Sequence, residues 1–185
     1  MPRPCARALD VGCGEGVVAR DLRRRADYVA AIDVDPRSLE LAREQDPDGE
    51  IDFRQGDFLQ TPYEPASFDF VACVTALHHM DPGTALLRMA ALVRPGGTVA
   101  VLGLARSVYP ADLPRDAVAS LVSRVYRARR GMWNSPAPRV WPPPHTYSEI
   151  RDLATATLPG ARFHRHLLWR YSIVWTKPSR GRRRR

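Results

Sequence analysis

At 185 residues, 44% hydrophobic and 26% charged, the chain is long enough for one sizeable core and has an ordinary globular composition. That balance excludes a disordered or fibrous protein, and no apolar run approaches the length of a membrane span. The net charge of +8 invites a nucleic-acid partner, yet Arg180 and Arg182–Arg185 supply five of those charges and leave +3 for residues 1–179. A terminal run of arginines repels itself, so residues 180–185 are expected to form a solvated, disordered tail. Met1-Pro2-Arg3-Pro4-Cys5 lacks the hydrophobic region of a secretory leader. Cys5, Cys13 and Cys73 are an odd number with no CxxC pair, which argues against a disulfide framework and against a zinc cluster. The expectation is one soluble, cytoplasmic domain over residues 1–179, without a metal.

The first predicted element sets the frame for the rest. Arg7–Val11 reads as a short buried strand, with Leu9 and Val11 apolar, and a helix opens at Val17 and runs to Arg25. Between them stand Gly12, Cys13, Gly14, Glu15 and Gly16. A strand that turns into a helix beneath a ligand needs backbone angles and a close approach that glycine supplies cheaply. The free N–H groups of the new helix then face that ligand. A dinucleotide fingerprint spaces its glycines as Gly-x-Gly-x-x-Gly, and here Val17 stands in the third place. Cys13 sits where a helix start can lower a thiol pKa, although the plainer reading is a small residue tolerated by a tight turn.

Tyr28–Asp33 is a second apolar run, ending in a carboxylate, as expected of a parallel strand buried on both faces. Asp35-Pro36 restarts a helix, with Asp at the cap and Pro at the first position. Ile51–Arg54 makes a third strand that leads into Gln55-Gly56-Asp57-Phe58. Phe68–Val74 is the fourth, followed by Thr75-Ala76-Leu77-His78-His79-Met80. A helix from Asp81-Pro82 to about Val93 is broken by Arg94-Pro95-Gly96-Gly97, and Thr98–Leu104 is the fifth strand. Strands and helices alternating at this pace imply a doubly wound parallel sheet.

From Arg106 the texture changes. A helix is predicted over Arg115–Arg130, then proline and tryptophan dominate through Trp133 and Trp141-Pro142-Pro143-Pro144. A loop this long in a compact domain commonly serves as a lid, so residues 106–146 are expected to be a substrate-binding insertion. Tyr147–Leu158 reads as a closing helix. Ala161–Leu168 and Tyr171–Thr176 read as two strands with a turn near Trp169-Arg170, an antiparallel hairpin at the sheet edge.

Leu9-Asp10-Val11-Gly12-Cys13-Gly14-Glu15-Gly16 resembles motif I of the class I S-adenosylmethionine (SAM) dependent methyltransferases. Gln55–Phe58, Phe68-Asp69-Phe70-Val71 through His79, and Leu92–Gly97 match further signatures of that family in the right order over residues 6–104. The resemblance implies a Rossmann-like, mostly parallel seven-stranded sheet whose last strand inserts antiparallel beside the fifth. It also implies SAM as the cofactor. Asp10 and the backbone of Gly12, Cys13, Gly14 and Gly16 would then hold its methionine part. Asp33, with Val34 beside it, would accept the ribose hydroxyls. Gly56, Asp57 and Phe58 would meet the adenine, and Thr75 completes the set. Asp35 is better read as a helix cap. The donor sulfonium is already activated, so the protein's task is to align an acceptor and exclude water. Should the acceptor need to lose a proton, His78 and His79 are the candidate bases, with ordering of the loop an equal alternative. Tyr109, His145 and Tyr147 border the expected lid, where ordinary packing is the better account of them.

Two departures stand out. Relatives carry one or two helices ahead of the first strand, whereas here that strand opens almost at Met1. Either segment 106–146 covers the cofactor, the chain start is incomplete, or the site is open. The Asn/Asp-Pro-Pro-aromatic motif of adenine and protein-amide N-methyltransferases is replaced by Thr75-Ala76-Leu77-His78. The reading is therefore a SAM-dependent methyltransferase of a small-molecule acceptor. The alternatives are a nucleic-acid (rRNA or tRNA) methyltransferase using the Arg tail and Arg124, Arg127, Arg129 and Arg130, a degenerate SAM-binding subunit, and a nicotinamide oxidoreductase, which Val17 disfavours. Oligomeric state is not legible in the sequence.

Overall fold

A computed structural model describes residues 1, 4–130 and 140–179. Seven strands form one sheet in the order β3-β2-β1-β4-β5-β7-β6. The strands are β1 (Arg7–Val11), β2 (Tyr28–Asp33), β3 (Ile51–Gln55), β4 (Phe68–Val74), β5 (Val93–Leu104), β6 (Arg162–Arg165) and β7 (Arg170–Thr176). The first five are parallel, and β7 runs antiparallel between β5 and β6. This is the expected Rossmann-like α/β architecture with its C-terminal hairpin.

The helices divide between the two faces. α1 (Val17–Arg23) and α2 (Pro36–Glu44) bury Ala19, Leu22 and Leu39 against Ala31, Phe70 and Ala72 of the sheet. On the other face α3 (Pro82–Leu92) and α5 (Tyr147–Thr157) bury Leu86, Met89, Ile150 and Ala154 against Val99, Val101 and Ile173. Covering both faces is why β1, β2 and β4 are buried almost continuously rather than at alternate positions. Caps fix where the helices start: Asp35 accepts the Ser38 N–H at 3.0 Å, and Asp81 accepts the Thr84 N–H at 2.8 Å. Thr146 and Glu149 form a reciprocal capping box at α5.

The base of the sheet is tied by one buried acid. Asp69 accepts the backbone N–H groups of Ala6 and Arg7 at 2.8 and 2.9 Å, and its other oxygen pairs with Arg94. This clamps β1, β4 and the start of β5 together. β5 begins at Val93 rather than at Thr98, because Val93 already pairs with Phe68 before an irregularity restores register at Phe70–Thr98. Lys177, the chain's single lysine, donates to the carbonyls of Ala90 and Val93 at 2.8 and 2.9 Å and so closes the end of α3.

β6 ends at Arg165, short of the predicted Leu168, and Leu168 and Trp169 adopt left-handed backbone angles (φ 59 and 58) that turn the chain into β7. Helix α4 (Leu113–Arg130) opens slightly before the predicted Arg115. Trp133 and the tail at 180–185 lie outside the described residues. Trp141 is described, and its ring meets that of Trp169 edge-on with centroids 5.6 Å apart.

Candidate functional site

The C-terminal tips of the parallel strands open on a cavity of about 970 Å³. Neighbouring strands lie ~4.8 Å apart, so the sheet order lays its tips out along one line. From one end to the other these are Asp57 after β3, Asp33 ending β2, the glycine corner after β1, Thr75 after β4, then Leu102 of β5 and Arg170 of β7.

Each tip is shaped by a local constraint. Gly12 has φ +68, and a Cβ there would lie 2.2 Å from that of Ala76, so the corner is pressed against the end of β4. Gly14 has φ +50 and open space within 4 Å, which leaves its backbone bare toward the cavity. Gly16 is different: a Cβ would meet Phe53 at 3.0 Å and Ala42 at 3.2 Å, so this glycine serves the packing of α1 on its neighbours. Asp33 fastens the corner. Its Oδ2 accepts the Gly14 N–H at 2.7 Å and its Oδ1 accepts the Asp35 N–H at 2.9 Å. A carboxylate has about four lone-pair positions, so two remain for a ligand.

Asp10 is 1% exposed, and neither carboxylate oxygen has a hydrogen-bond partner. Burial pushes its pKa up to about 7; the Ala19 backbone N–H opposes that, and the negative charge of Asp33 adds to it. An unpartnered carboxylate buried beside a ligand cavity is costly unless a cation completes it. Thr75 has φ 55, a conformation that costs a β-branched residue ~1–2 kcal/mol and turns the chain at the rim. The outcome for Cys13 is the reverse of a helix-start activation. Burial, with Asp10 and Asp33 nearby, drives its thiol pKa up, so it remains a protonated small residue in a tight turn.

The comparisons with known proteins agree with this geometry. The model of the methyltransferase domain family matches residues 9–101. An uncharacterized methyltransferase of Mycobacterium tuberculosis strain H37Rv is 38% identical over 176 residues, covering 92% of this chain and 86% of that protein. The chain belongs to the methyltransferase domain family. It is a class I SAM-dependent methyltransferase. A ubiquinone biosynthesis O-methyltransferase of Xanthomonas campestris is 36% identical over 108 residues, which span 56% of this chain and 45% of that enzyme. In fold the chain is similar to a SAM-dependent methyltransferase of Mesorhizobium loti, with a TM-score of 0.66 at 17% identity over 96% of this chain and 94% of that one.

SAM carries a positive ammonium and sulfonium on one side of an adenosyl group. The methyltransferase site suits it on two counts: Asp10 offers a buried carboxylate lacking a counter-charge, and Gly14 leaves a cradle that any side chain would fill. The cavity wall contains Asp10, Gly12, Cys13, Gly14, Asp33, Val34, Gly56, Asp57, Phe58, Thr75 and His79 of the expected set. Val34 is 63% exposed at the rim, an apolar surface bare of protein neighbours. Phe58 is nearly buried in the core and meets the cavity only at its edge. Gly16 and His78 do not line it.

The two histidines occupy the 3-10 turn Leu77–His79, with ring centroids 4.1 Å apart. His79 is exposed and lines the cavity. His78 turns inward, its Nδ1 buried without a partner. Burial, then the neighbouring His79, holds its pKa down to about 4, so it is a neutral ring. Tyr109 is exposed and donates to Asp116, and Tyr147 packs, buried, under the Arg165 guanidinium at 3.8 Å; neither lines the cavity. None of the described residues of 106–146 lines the cavity. Sequence reasoning missed Met80, Leu102 and Arg170, the last because a turn residue after Trp169 carries no motif signal.

Proposed function

We propose that this methyltransferase acts on a small organic acceptor entering from the β5–β7 end of the cavity. The supporting observation is the cavity itself: about 970 Å³ set into the strand tips suits a cofactor with a modest partner, not a polynucleotide laid across a broad basic face. The ubiquinone biosynthesis O-methyltransferase among its relatives acts, by its name, in the making of a small molecule.

In this reading SAM supplies the activated methyl group. Asp10 holds the ammonium, and the bare backbone at Gly14 lets the methionine part approach. Asp33 takes the ribose hydroxyls on its remaining lone pairs, while Asp57, whose Oδ1 is engaged by the Leu59 N–H at 2.8 Å, offers Oδ2 to the adenine amino group. Val34 and Leu59 cover the ring. His79 receives a proton from the acceptor hydroxyl on an imidazole nitrogen, and His78 steadies the turn that presents it. The reading is tested by transfer of label from methyl-labelled SAM. Incorporation into phenolic or quinol-type small molecules is expected. Labelling confined to RNA overturns the small-molecule assignment.

A further inference from the structure

The charges of the cavity wall are separated along its length. Acids gather at the β1–β3 tips: Asp10, Glu15, Asp33, Asp35 and Asp57. At the opposite end stands Arg170, the one arginine or lysine of the wall among the described residues. It is exposed, and its guanidinium has neither an ion pair nor a hydrogen bond among them. Two neighbouring cations are engaged: Arg165 pairs with Asp112 at 2.8 Å, and Arg115 donates to the Arg165 carbonyl at 3.2 Å. Arg170 is also held in place. Its backbone pairs with Leu104 of β5, its carbonyl accepts the His166 N–H at 2.8 Å, and the preceding Trp169 packs edge-on against Trp141.

We infer that Arg170 is the specificity residue for the acceptor, and that the acceptor is an organic acid that presents a carboxylate. The inference rests on the small-molecule methyltransferase reading. Arg170 lies three strands from β1 and four from β2, or roughly 14 and 19 Å at the usual strand spacing. A cofactor whose ribose sits on Asp33 and whose ammonium sits on Asp10 does not bring its own carboxylate that far. The charge therefore faces what lies beyond the sulfonium. A planar guanidinium on a strand end is suited to bidentate recognition of a carboxylate. The acceptor's own negative charge also complements the positive cofactor across the same cavity.

The test uses the full chain saturated with S-adenosylhomocysteine, so that no turnover occurs. Ligand-observed NMR measures binding of matched pairs, 4-hydroxybenzoate against 4-hydroxybenzamide and cinnamate against cinnamamide, while calorimetry on the unsaturated chain measures binding of S-adenosylhomocysteine. We expect the wild type to bind the acids at least tenfold more tightly than the amides. Arg170→Gln should erase that preference, Arg170→Lys should keep part of it, and the affinity for S-adenosylhomocysteine should stay within about twofold in both variants. No preference for acids in the wild type, whether through equal binding or none, overturns the proposal. A tenfold loss of S-adenosylhomocysteine affinity in Arg170→Gln also overturns it, because the guanidinium then belongs to the cofactor. Failure of the wild type to bind S-adenosylhomocysteine at all refutes the underlying reading as well, which separates the two failures.

Discussion

Replacing Asp10 by Asn should strengthen the free protein and weaken its hold on the cofactor, and the pH dependence separates the two effects. The carboxyl pKa rises from 3.8 to about 7 on folding. That is about three units, worth about 4 kcal/mol at ~1.36 kcal/mol per unit. The sign follows from which state binds the proton more tightly. With the folded pKa raised, folding is unpenalised below pH ~4, where both states are protonated. The penalty grows as pH rises through the window between the two pKa values and is complete above pH ~7. Between about pH 5 and pH 8 the wild type should lose about 2–3 kcal/mol that Asp10→Asn retains. The buried amide still lacks partners, at a cost of ~1–3 kcal/mol that is independent of pH. Other groups titrate alike in both proteins, so urea melts of the pair at the two pH values isolate Asp10. The cofactor reverses the preference: its ammonium favours the ionised carboxylate, so wild-type affinity for SAM should rise with pH up to about 7, while Asp10→Asn binds weakly at every pH. A stability difference between the two proteins that does not change with pH would refute an ionisable, unpaired Asp10.

Asp33→Ala should cost ~1–3 kcal/mol of SAM affinity by calorimetry, because both the corner and a charged acceptor are lost; unchanged affinity removes Asp33 from the site. Gly12→Ala and Gly14→Val should part company: the first drives a methyl to 2.2 Å from Ala76 and loses ~2–4 kcal/mol in denaturant melts, whereas the second meets no neighbour, loses only the ~1–2 kcal/mol of left-handed backbone strain, and loses SAM binding. Lys177→Met keeps the aliphatic stem but leaves two carbonyls at the end of α3 without their donor, and should cost ~1.5–3 kcal/mol in thermal melts. His79→Ala should lower the rate of methyl transfer by ~10²–10⁴-fold, and His78→Asn far less. A pH limb of kcat that vanishes in His78→Asn and survives in His79→Ala would reverse their roles.

The residues most legible in sequence were those whose type is forced by backbone or burial. Gly12, Gly14 and Gly16 announce a corner, and the apolar run Tyr28–Asp33 announces a strand covered on both faces. The antiparallel insertion of β7 had no such signature, since a run such as Tyr171–Thr176 does not state its partner; family resemblance supplied it. The glycines also show where type underdetermines role. All three adopt positive φ, but Gly12 abuts β4, Gly14 faces open space and Gly16 abuts Phe53 and Ala42. Only three-dimensional neighbours sort them. Adjacent His78 and His79 carry the same lesson, because a 3-10 turn sends consecutive side chains in different directions.

What the strand tips have in common is that their acids are already partly used. Asp33 braces the glycine corner, Asp57 braces its own turn, and Asp35 caps α2. Asp10 alone among these four carboxylates is left without a hydrogen bond and is also the most deeply buried. A cation therefore gains most at Asp10, whereas neutral hydroxyl or amino groups suffice at Asp33 and Asp57, whose charge backbone N–H groups already share. On the proposed reading, the order of the tips along the sheet would lay the adenosyl group with its base toward β3 and its ammonium toward β1. The proposed direction, more than any single contact, is what assigns the β4–β7 side of the cavity to the acceptor.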